Sequence, residues 1–344
     1  MSEYIKLLAA KLNLFATNKT TDTTATTGND LSVEMKTFYS DYLIDLAEPE
    51  LVHDQFGQKH PIPKNGGKTI EFRKYDSLAK ATTPLSEGVT PTGSKLNVSN
   101  ITATVSQYGD FVELSDVLLL TAIDNNLVHA TELLASQAGR TLDTVTREVL
   151  NGGTNVLYAG GANSRANLVG GAQSGNNYLT VQDIRKAVRT LKKMNTPKYN
   201  GYYWGIIHPD VEYDLMDDPD WKAPHQYVDT TNIYENEIGM IAGVRFVEST
   251  EAKVWHNAGK QGSTASARDV YSTLIGGSNA YGVTEVTGGA LQHIVKPLGS
   301  AGTADPLNQR ATAGWKAIKT AERLVEQYMV RIESTSNFND VGAN

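Results

Sequence analysis

Residues 63–75 read PKNGGKTIEFRKY, and residues 96–114 read LNVSNITATVSQYGDFVEL. The Gly67-Lys68-Thr69 step in the first stretch matches the end of a phosphate-binding loop. Such a loop also needs a glycine at position 62 and a helix opening after Thr69, because its amides curl around phosphate before the helix N-terminus completes the anion site. Position 62 is Ile62, and Ile70, Glu71, Phe72 and Arg73 alternate apolar with polar, which is the strand period. The stretch therefore reads as a turn, Asn65-Gly66-Gly67, that launches a strand.

The second stretch supplies a partner strand. Ile101, Ala103 and Val105 face one way, and Thr102, Thr104 and Ser106 the other. Between the two strands, DSLAKATTPLSEGVTPTGSK (76–95) has no period at all. The whole unit, ending at Ser115-Asp116, is expected to be a two-stranded ribbon with a long polar tip. Structureless loops of that length are uncommon in compact domains and usually functional. An isolated ribbon is marginal in water, so it needs something to lie on.

The chain has 344 residues, enough for a sizeable core. Its 31 basic and 38 acidic residues leave a net charge of −7, so no global basic field recruits nucleic acid or anionic membrane. It has no cysteine, which excludes disulfides, thiolate metal ligands and a thiol nucleophile. No stretch approaches the roughly 20 apolar residues of a membrane span. The N-terminal MSEYIKLLAAKLNLF puts Ile5, Leu8, Leu12 and Phe15 on one helical face and reads as a docking helix, not an export signal.

Residues 16–30 are small and polar and are expected to form a flexible arm. Met35, Tyr39, Tyr42, Leu43 and Leu46 recur at helical spacing before Pro49. After the ribbon, either Ser115 or Asp116 is a suitable helix cap. Leu134, Ala138, Leu142, Val145 and Val149 then keep one face apolar, with Asp143 and Arg147 expected to pair on the exposed side. Asn151-Gly152-Gly153 would end this rod, glycine supplying a left-handed cap. Thr180 and Asp183 cap a helix with the stripe Val181, Ile184, Val188 and Leu191. The strand-like GYYWGIIH, AGVRFVES and DVYSTLIGG and a proline-started turn at PDVEYDLM complete a second, α/β half. The tail WKAIKTAERLVEQYMVRIEST fits a helix up to Tyr328 and a strand after Met329.

No catalytic constellation stands out. The seven histidines include no i, i+4 pair of the kind that holds zinc. Asp214, Asp217, Asp218 and Asp220 lie close together but lack the glycine and glutamate of a calcium loop, and read as a solvated turn. Arg185, Lys186, Arg189, Lys192 and Lys193 form the wet face of one helix, with weak DNA contact the sharper alternative. No Gly-x-Ser-x-Gly elbow is present. The reading predicts no enzyme, no metal and no cofactor.

LVHDQFGQKHPIPKNGGKTIEFRKY, LAKATTPLSEGVTP, YGDFVELSDVLLLTAID, TREVLNGGTNV and DPLNQRATAGWK strongly resemble the N-four-type major capsid protein family of tailed bacteriophages, over about residues 31–336. The resemblance implies an α+β chain with the Hong-Kong-97-type capsid fold. Mapped onto this sequence, 1–30 is the N-terminal arm, 31–62 a first peripheral-domain segment and 63–113 the extended β-hairpin loop. Residues 114–180 are the peripheral domain with a long spine helix (Asp116–Leu150), 181–298 the axial domain and 299–344 the peripheral return.

The implied function is self-assembly, as pentamers and hexamers, into an icosahedral head around double-stranded DNA, in a virion assembled in the host cytoplasm. The implied partners are other copies, a separate scaffolding protein because the arm is short, a portal protein, an optional decoration protein, and DNA by weak non-specific contact; no membrane is involved. The arm before Asp30 and the tip residues Lys80, Pro84, Glu87, Pro91 and Lys95 are the candidate inter-subunit contacts, prolines there lowering the entropy lost on docking. Lys80 and Lys95 match no crosslinking motif. Two other readings stay open: a nanocompartment shell enclosing enzymes, and, from another class, a nucleotide-binding enzyme using GGKT.

Overall fold

The computed structural model describes residues 52–338 apart from 64–66, 76–77, 86, 91–92, 122–125, 172–174, 222–236, 263, 286–290, 301 and 303–304. The arm, the two N-terminal helical patterns, Asn65, Gly66 and Pro91 lie outside the described residues.

The elements begin with β1 (Gln58–Lys59), β2 (Thr69–Tyr75), β3 (Val98–Thr104), β4 (Ser106–Ser115), α1 (Asp116–Thr121) and α2 (Asn126–Asn151). There follow β5 (Val156–Tyr158), β6 (Val169–Gly170), α3 (Val181–Lys193), β7 (Tyr203–Ile207) and α4 (Pro209–Asp217). The last are β8 (Glu237–Ile241), β9 (Val244–Glu248), β10 (Val254–Gln261), β11 (Thr264–Gly276), β12 (Tyr281–Glu285), β13 (Gln292–Lys296), β14 (Arg310–Arg323) and β15 (Met329–Ser334).

Three sheets organise these elements. The ribbon is a separate two-stranded sheet, β2 antiparallel to β3 from Thr69↔Thr104 to Tyr75↔Val98. Ala103 is buried and Ile101 and Val105 are half-buried, while Thr102, Thr104 and Ser106 are exposed, as the alternation predicts. The ribbon is shorter than expected, however, because its ladder stops at Thr104. Val105 donates to the Lys68 carbonyl at 2.9 Å, and the chain then leaves for a five-stranded sheet centred on β14. There β4 runs antiparallel along one edge of β14, from Arg310↔Ser115 to Lys319↔Ser106. Strands β13 and β12 share its other edge, and β1 adds parallel to β12. Residues 106–113, expected in the ribbon, thus belong to the body of the molecule, where a central strand satisfies their backbone groups.

Helix α2 lies on this sheet, with Leu134, Ala135, Ala138 and Leu142 against Ala313, Trp315 and Ala317. The tail is the main correction to the sequence reading. Arg310–Arg323 is strand, not helix, and only a short 3₁₀ turn at Glu326–Tyr328 precedes β15. Alanine and lysine favour helix, but helix propensities differ by at most about 0.7 kcal/mol per ordinary residue. Burying a large apolar side chain such as Trp315 is worth roughly 1.5–3 kcal/mol, so tertiary packing decides. Ala311, Ala313, Trp315, Ala317, Lys319 and Ala321 are all buried at a strict period of two.

The third sheet has eight strands, ordered β5-β15-β11-β7-β9-β8, with β10 paired to β11 and β6 to β10. Its outer face carries α3 and α4 over a core that includes Ile184, Leu191, Val211, Phe246, Tyr271 and Val330. The opposite face joins the first half through Trp204, Leu274 and Met329, which meet Val52, Phe56, Leu150 and Tyr281. Phe56 stacks on Trp204 at 5.2 Å.

Several caps follow the sequence. Ser115 Oγ accepts from Leu118 N at the start of α1, Thr180 Oγ1 accepts from Asp183 N, and His208 Nδ1 accepts from Asp210 N before Pro209. The end of α2 does not, since neither Gly152 nor Gly153 has a positive φ. Arginines take the terminal carbonyls instead: Arg323 donates to Val149 O at 2.6 Å and Arg331 to Asn151 O. The glycines make room for these partners, because a Cβ would lie 2.6 Å from Arg323 Nη1 at Gly152 and 2.7 Å from Glu326 Oε1 at Gly153.

Candidate assembly interface

The ribbon presents the clearest candidate site. Residues 78–85 and 93–97 at its tip are all exposed and have no regular secondary structure. Lys80, Pro84, Glu87 and Lys95 are exposed as well, so four of the five expected contact residues stand in solvent; Pro91 is outside the described residues. Sequence reasoning missed the apolar component. Leu78, Leu85, Val89 and Leu96 are more than half exposed, Leu85 to 78%. Their lack of periodicity hid them, and a cluster of exposed large apolar side chains marks an interaction surface. From Pro63 to Val98 six cations face three carboxylates, a surplus of three positive charges in a chain whose net charge is −7.

The base of the ribbon is planted on the five-stranded sheet. A Cβ at Gly282 would lie 3.2 Å from the Phe72 ring, which also meets His60 edge-on at 5.4 Å. Gly67 has φ of +91°, Lys68 follows as a bend, and Thr69 opens β2, a strand and so the wrong element for a phosphate loop.

Beneath the ribbon, the segment entering at Val52 is pinned by a buried polar network. His53 N donates to Asp143 Oδ1 at 2.8 Å, and the His53 ring meets Asp143 Oδ2 at 2.6 Å. Thr146 Oγ1 donates to Asp54 Oδ1 at 2.6 Å, Lys319 pairs with Asp54, and Tyr281 donates its hydroxyl to His53 O. Asp143 and Arg147, expected on the exposed side of α2, are both buried and not paired with each other. Asp143 serves His53, and Arg147 donates to Glu251 O at 2.7 Å and Glu148 Oε1 at 3.0 Å. The single apolar stripe hid this because α2 is covered on two flanks, by β14 and by residues 52–56.

The other sequence-flagged clusters have structural partners. Asp218 Oδ2 accepts from Val181 N at 3.0 Å, Asp220 lies 3.6 Å from Arg185, and Asp214 Oδ2 accepts from Asn337 N at 2.9 Å. Among the described residues no cluster of His, Asp or Glu has metal-site geometry. No helix among them is long and apolar enough to cross a membrane. The basic side chains of α3 are exposed.

The model of the phage capsid protein family matches residues 99–271. The chain belongs to the phage capsid protein family. Among curated proteins none matches its sequence. In structure this capsid protein is similar to the capsid of Ralstonia phage GP4, with a TM-score of 0.66 at 14% identity, covering 85% of this chain and 90% of that one. It is also similar to the capsid of cyanophage Pam1 (TM-score 0.60, 12% identity, 78% and 85% covered) and to that of cyanophage P-SCSP1u (0.56, 14%, 82% and 87%).

The capsid protein therefore has the Hong-Kong-97-type fold expected from its sequence, and it is a major capsid protein that builds the phage head shell. Its place is the virion, in oligomeric shells. Helix α4 gives the capsid protein an unusual titratable face. Burial, with Glu248 adding repulsion, pushes Glu212 up to about 7, and burial also raises Asp214 against the Asn337 N–H that steadies it. On β4, by contrast, the Gln137 amide and Phe111 N–H hold Asp110 below the usual carboxylate range.

Proposed function

We propose that this capsid protein assembles as pentamers and hexamers into the icosahedral head of a tailed phage, enclosing double-stranded DNA, with each ribbon lying across a neighbouring subunit. In this reading residues 63–105 act as the extended loop and 106–180 with 299–344 as the peripheral domain. Residues 181–298 form the axial domain, 31–62 begin the peripheral domain and 1–30 are the arm. The observation that carries the reading is the ribbon tip, whose apolar side chains have no cover within the chain's own described residues in a protein of a capsid family.

The contacts run through Lys80, Pro84, Glu87, Pro91 and Lys95. Many weak contacts repeated over a closed shell hold together what no single pair could. Assembly takes place in the host cytoplasm with a separate scaffolding protein and a portal, with a decoration protein as an optional addition. The subunit performs no catalysis, and DNA meets it only through weak, non-specific contact. The test is electron microscopy with sedimentation on the protein expressed alone and with its neighbouring phage genes. Closed particles or capsomer-sized rings are expected, and removal of 76–95 should leave a folded, soluble subunit that forms neither. Intact shells from the deletion would overturn the role given to the tip.

A further inference from the structure

The sheet face that carries α3 and α4 separates charge. Residues 181–200 hold six Lys or Arg and one carboxylate, Asp183, which is buried, so the exposed side of α3 and of the residues after it carries cations alone. Residues 209–220, α4 and the turn after it, hold six Asp or Glu and no Lys or Arg. An ordinary wet helix face intersperses both signs. Among the described residues only two of the six cations have carboxylate partners, Arg185 with Asp220 at 3.6 Å and Lys186 with Asp183 at 2.8 Å. The fold keeps the rest apart from α4. Beyond the end of α3, Pro197 O accepts from Ser278 N at 2.9 Å, just past Gly276, the last residue of β11. Tyr271, five positions back along β11, donates its hydroxyl to Asp210 at the start of α4 at 2.7 Å. Five strand steps span roughly 17 Å, more than a lysine side chain reaches.

We propose that the cationic face of α3 seats against the exposed face of α4 on a second copy of this chain. The proposal rests on the shell reading and adds a contact that the ribbon does not make. The α4 face is more than a row of charges. Tyr213 is 61% exposed and Met216 40%, and Phe338, 44% exposed, meets the Tyr213 ring edge-on at 5.1 Å. Asp217 and Asp220 border this apolar patch at exposed positions. Arginine guanidinium stacks on an aromatic face, and lysine stems cover apolar surface while their ammonium groups reach carboxylates at its rim. Arg189, Lys192 and Lys193 supply that chemistry, and Met194, 38% exposed, extends it.

Charge decides the occupant. Double-stranded DNA laid on α3 would meet the carboxylates of α4 on the same sheet face, and its own phosphates would be repelled there. A second copy brings both signs, so the cations of one subunit and the carboxylates of the next neutralise each other in both directions. The α3 and α4 faces are different surfaces of one subunit, which makes the contact head-to-tail, each copy offering one of each. Contacts of that kind close into rings when the rotation allows.

Charge reversal tests the contact. Arg189→Glu with Lys192→Glu, both at exposed positions, should melt with the parent and yet cut particle yield about tenfold or more, because like charges then face each other. Adding Asp217→Lys and Asp220→Lys to the same chain reverses both sides of every such contact and should restore the yield. Because the chain has no cysteine, Lys192→Cys with Met216→Cys gives a second readout without background. A short bismaleimide should join these copies into a ladder of covalent multimers in assembled particles, and where the first reversal lowers the melting temperature this pair decides alone. Normal yield from the first reversal with packaged DNA lost would give α3 to the genome and overturn the contact. No recovery in the fourfold variant, the result expected of an acidic scaffold peptide on α3, would overturn it too, as would intact particles with no ladder or with crosslinks closed within one chain. All of these leave the shell reading in place. Failure of the unaltered protein to form particles under any condition would sink both.

Discussion

Lys319 on β14 and Asp54 form an ion pair in the interior across 265 positions of sequence. Lys319 also donates to Leu142 O at 3.0 Å, and Asp54 accepts from Thr146, so one pair joins the central strand, the long helix and the N-terminal segment. Removing one partner of a buried pair strands the other charge and costs about 3–5 kcal/mol, whereas replacing both with apolar groups is often close to neutral. Lys319→Met should therefore lose about 3–5 kcal/mol in urea unfolding of the unassembled subunit, and Asp54→Leu added to it should restore part of the loss. A single variant as stable as the parent would contradict the pairing.

Strand β4 is held close to β14 by a missing side chain. A Cβ at Gly314 would lie 2.7 Å from Phe111 Cβ and 2.8 Å from Asp110 O. Overpacking of this kind costs about 1–3 kcal/mol. Gly314→Ala should lower the melting temperature, and hydrogen exchange should place the loosening in 106–115 and not in α3.

Glu212 sets a pH dependence. Its folded pKa, about 7, lies above the ordinary carboxylate value of 4.5, so the folded state holds a proton that the unfolded chain gives up. The contribution is complete below pH 4.5 and is lost as pH rises towards 7. Glu212→Gln should flatten the melting curve against pH across that window, with the parent falling relative to the variant as pH rises. Parallel curves would remove Glu212 as the cause.

Leu85 offers a separation of assembly from folding. It is exposed on the free subunit, and substitutions at such sites change stability by no more than about 0.5 kcal/mol. Leu85→Ser should melt with the parent yet assemble poorly in sedimentation. Normal particle yield would show that the tip's apolar side chains are dispensable.

Much of the fold was legible wherever one face of an element is buried and the other is wet. The stripe Val181, Ile184, Val188 and Leu191 and the alternation Ile101, Ala103, Val105 both announce their elements. Legibility failed where an element is covered on more than one side. In β14 the buried face includes Lys319, so its period of two was masked by alanine and lysine in a helix-like mixture. On α2, Asp143 and Arg147 look like surface residues until the segment from Val52 is folded against them. For the candidate site, the length and polarity of residues 76–95 pointed to the ribbon. The place of residues 106–113 beside β14 could not be foreseen, because it depends on which strand pairs with the far end of the chain.

Val105 stands between two ladders and belongs to neither, with β3 ending before it and β4 beginning after it. The ribbon thus joins the body at two adjacent backbone points, Lys68 and Val105, bonded to each other at 2.9 Å, with Phe72 resting on the bare backbone of Gly282. A bend confined to those two points would break no hydrogen bond of the ladders on either side. A surface built from identical tiles needs such a place to bend if it is to curve.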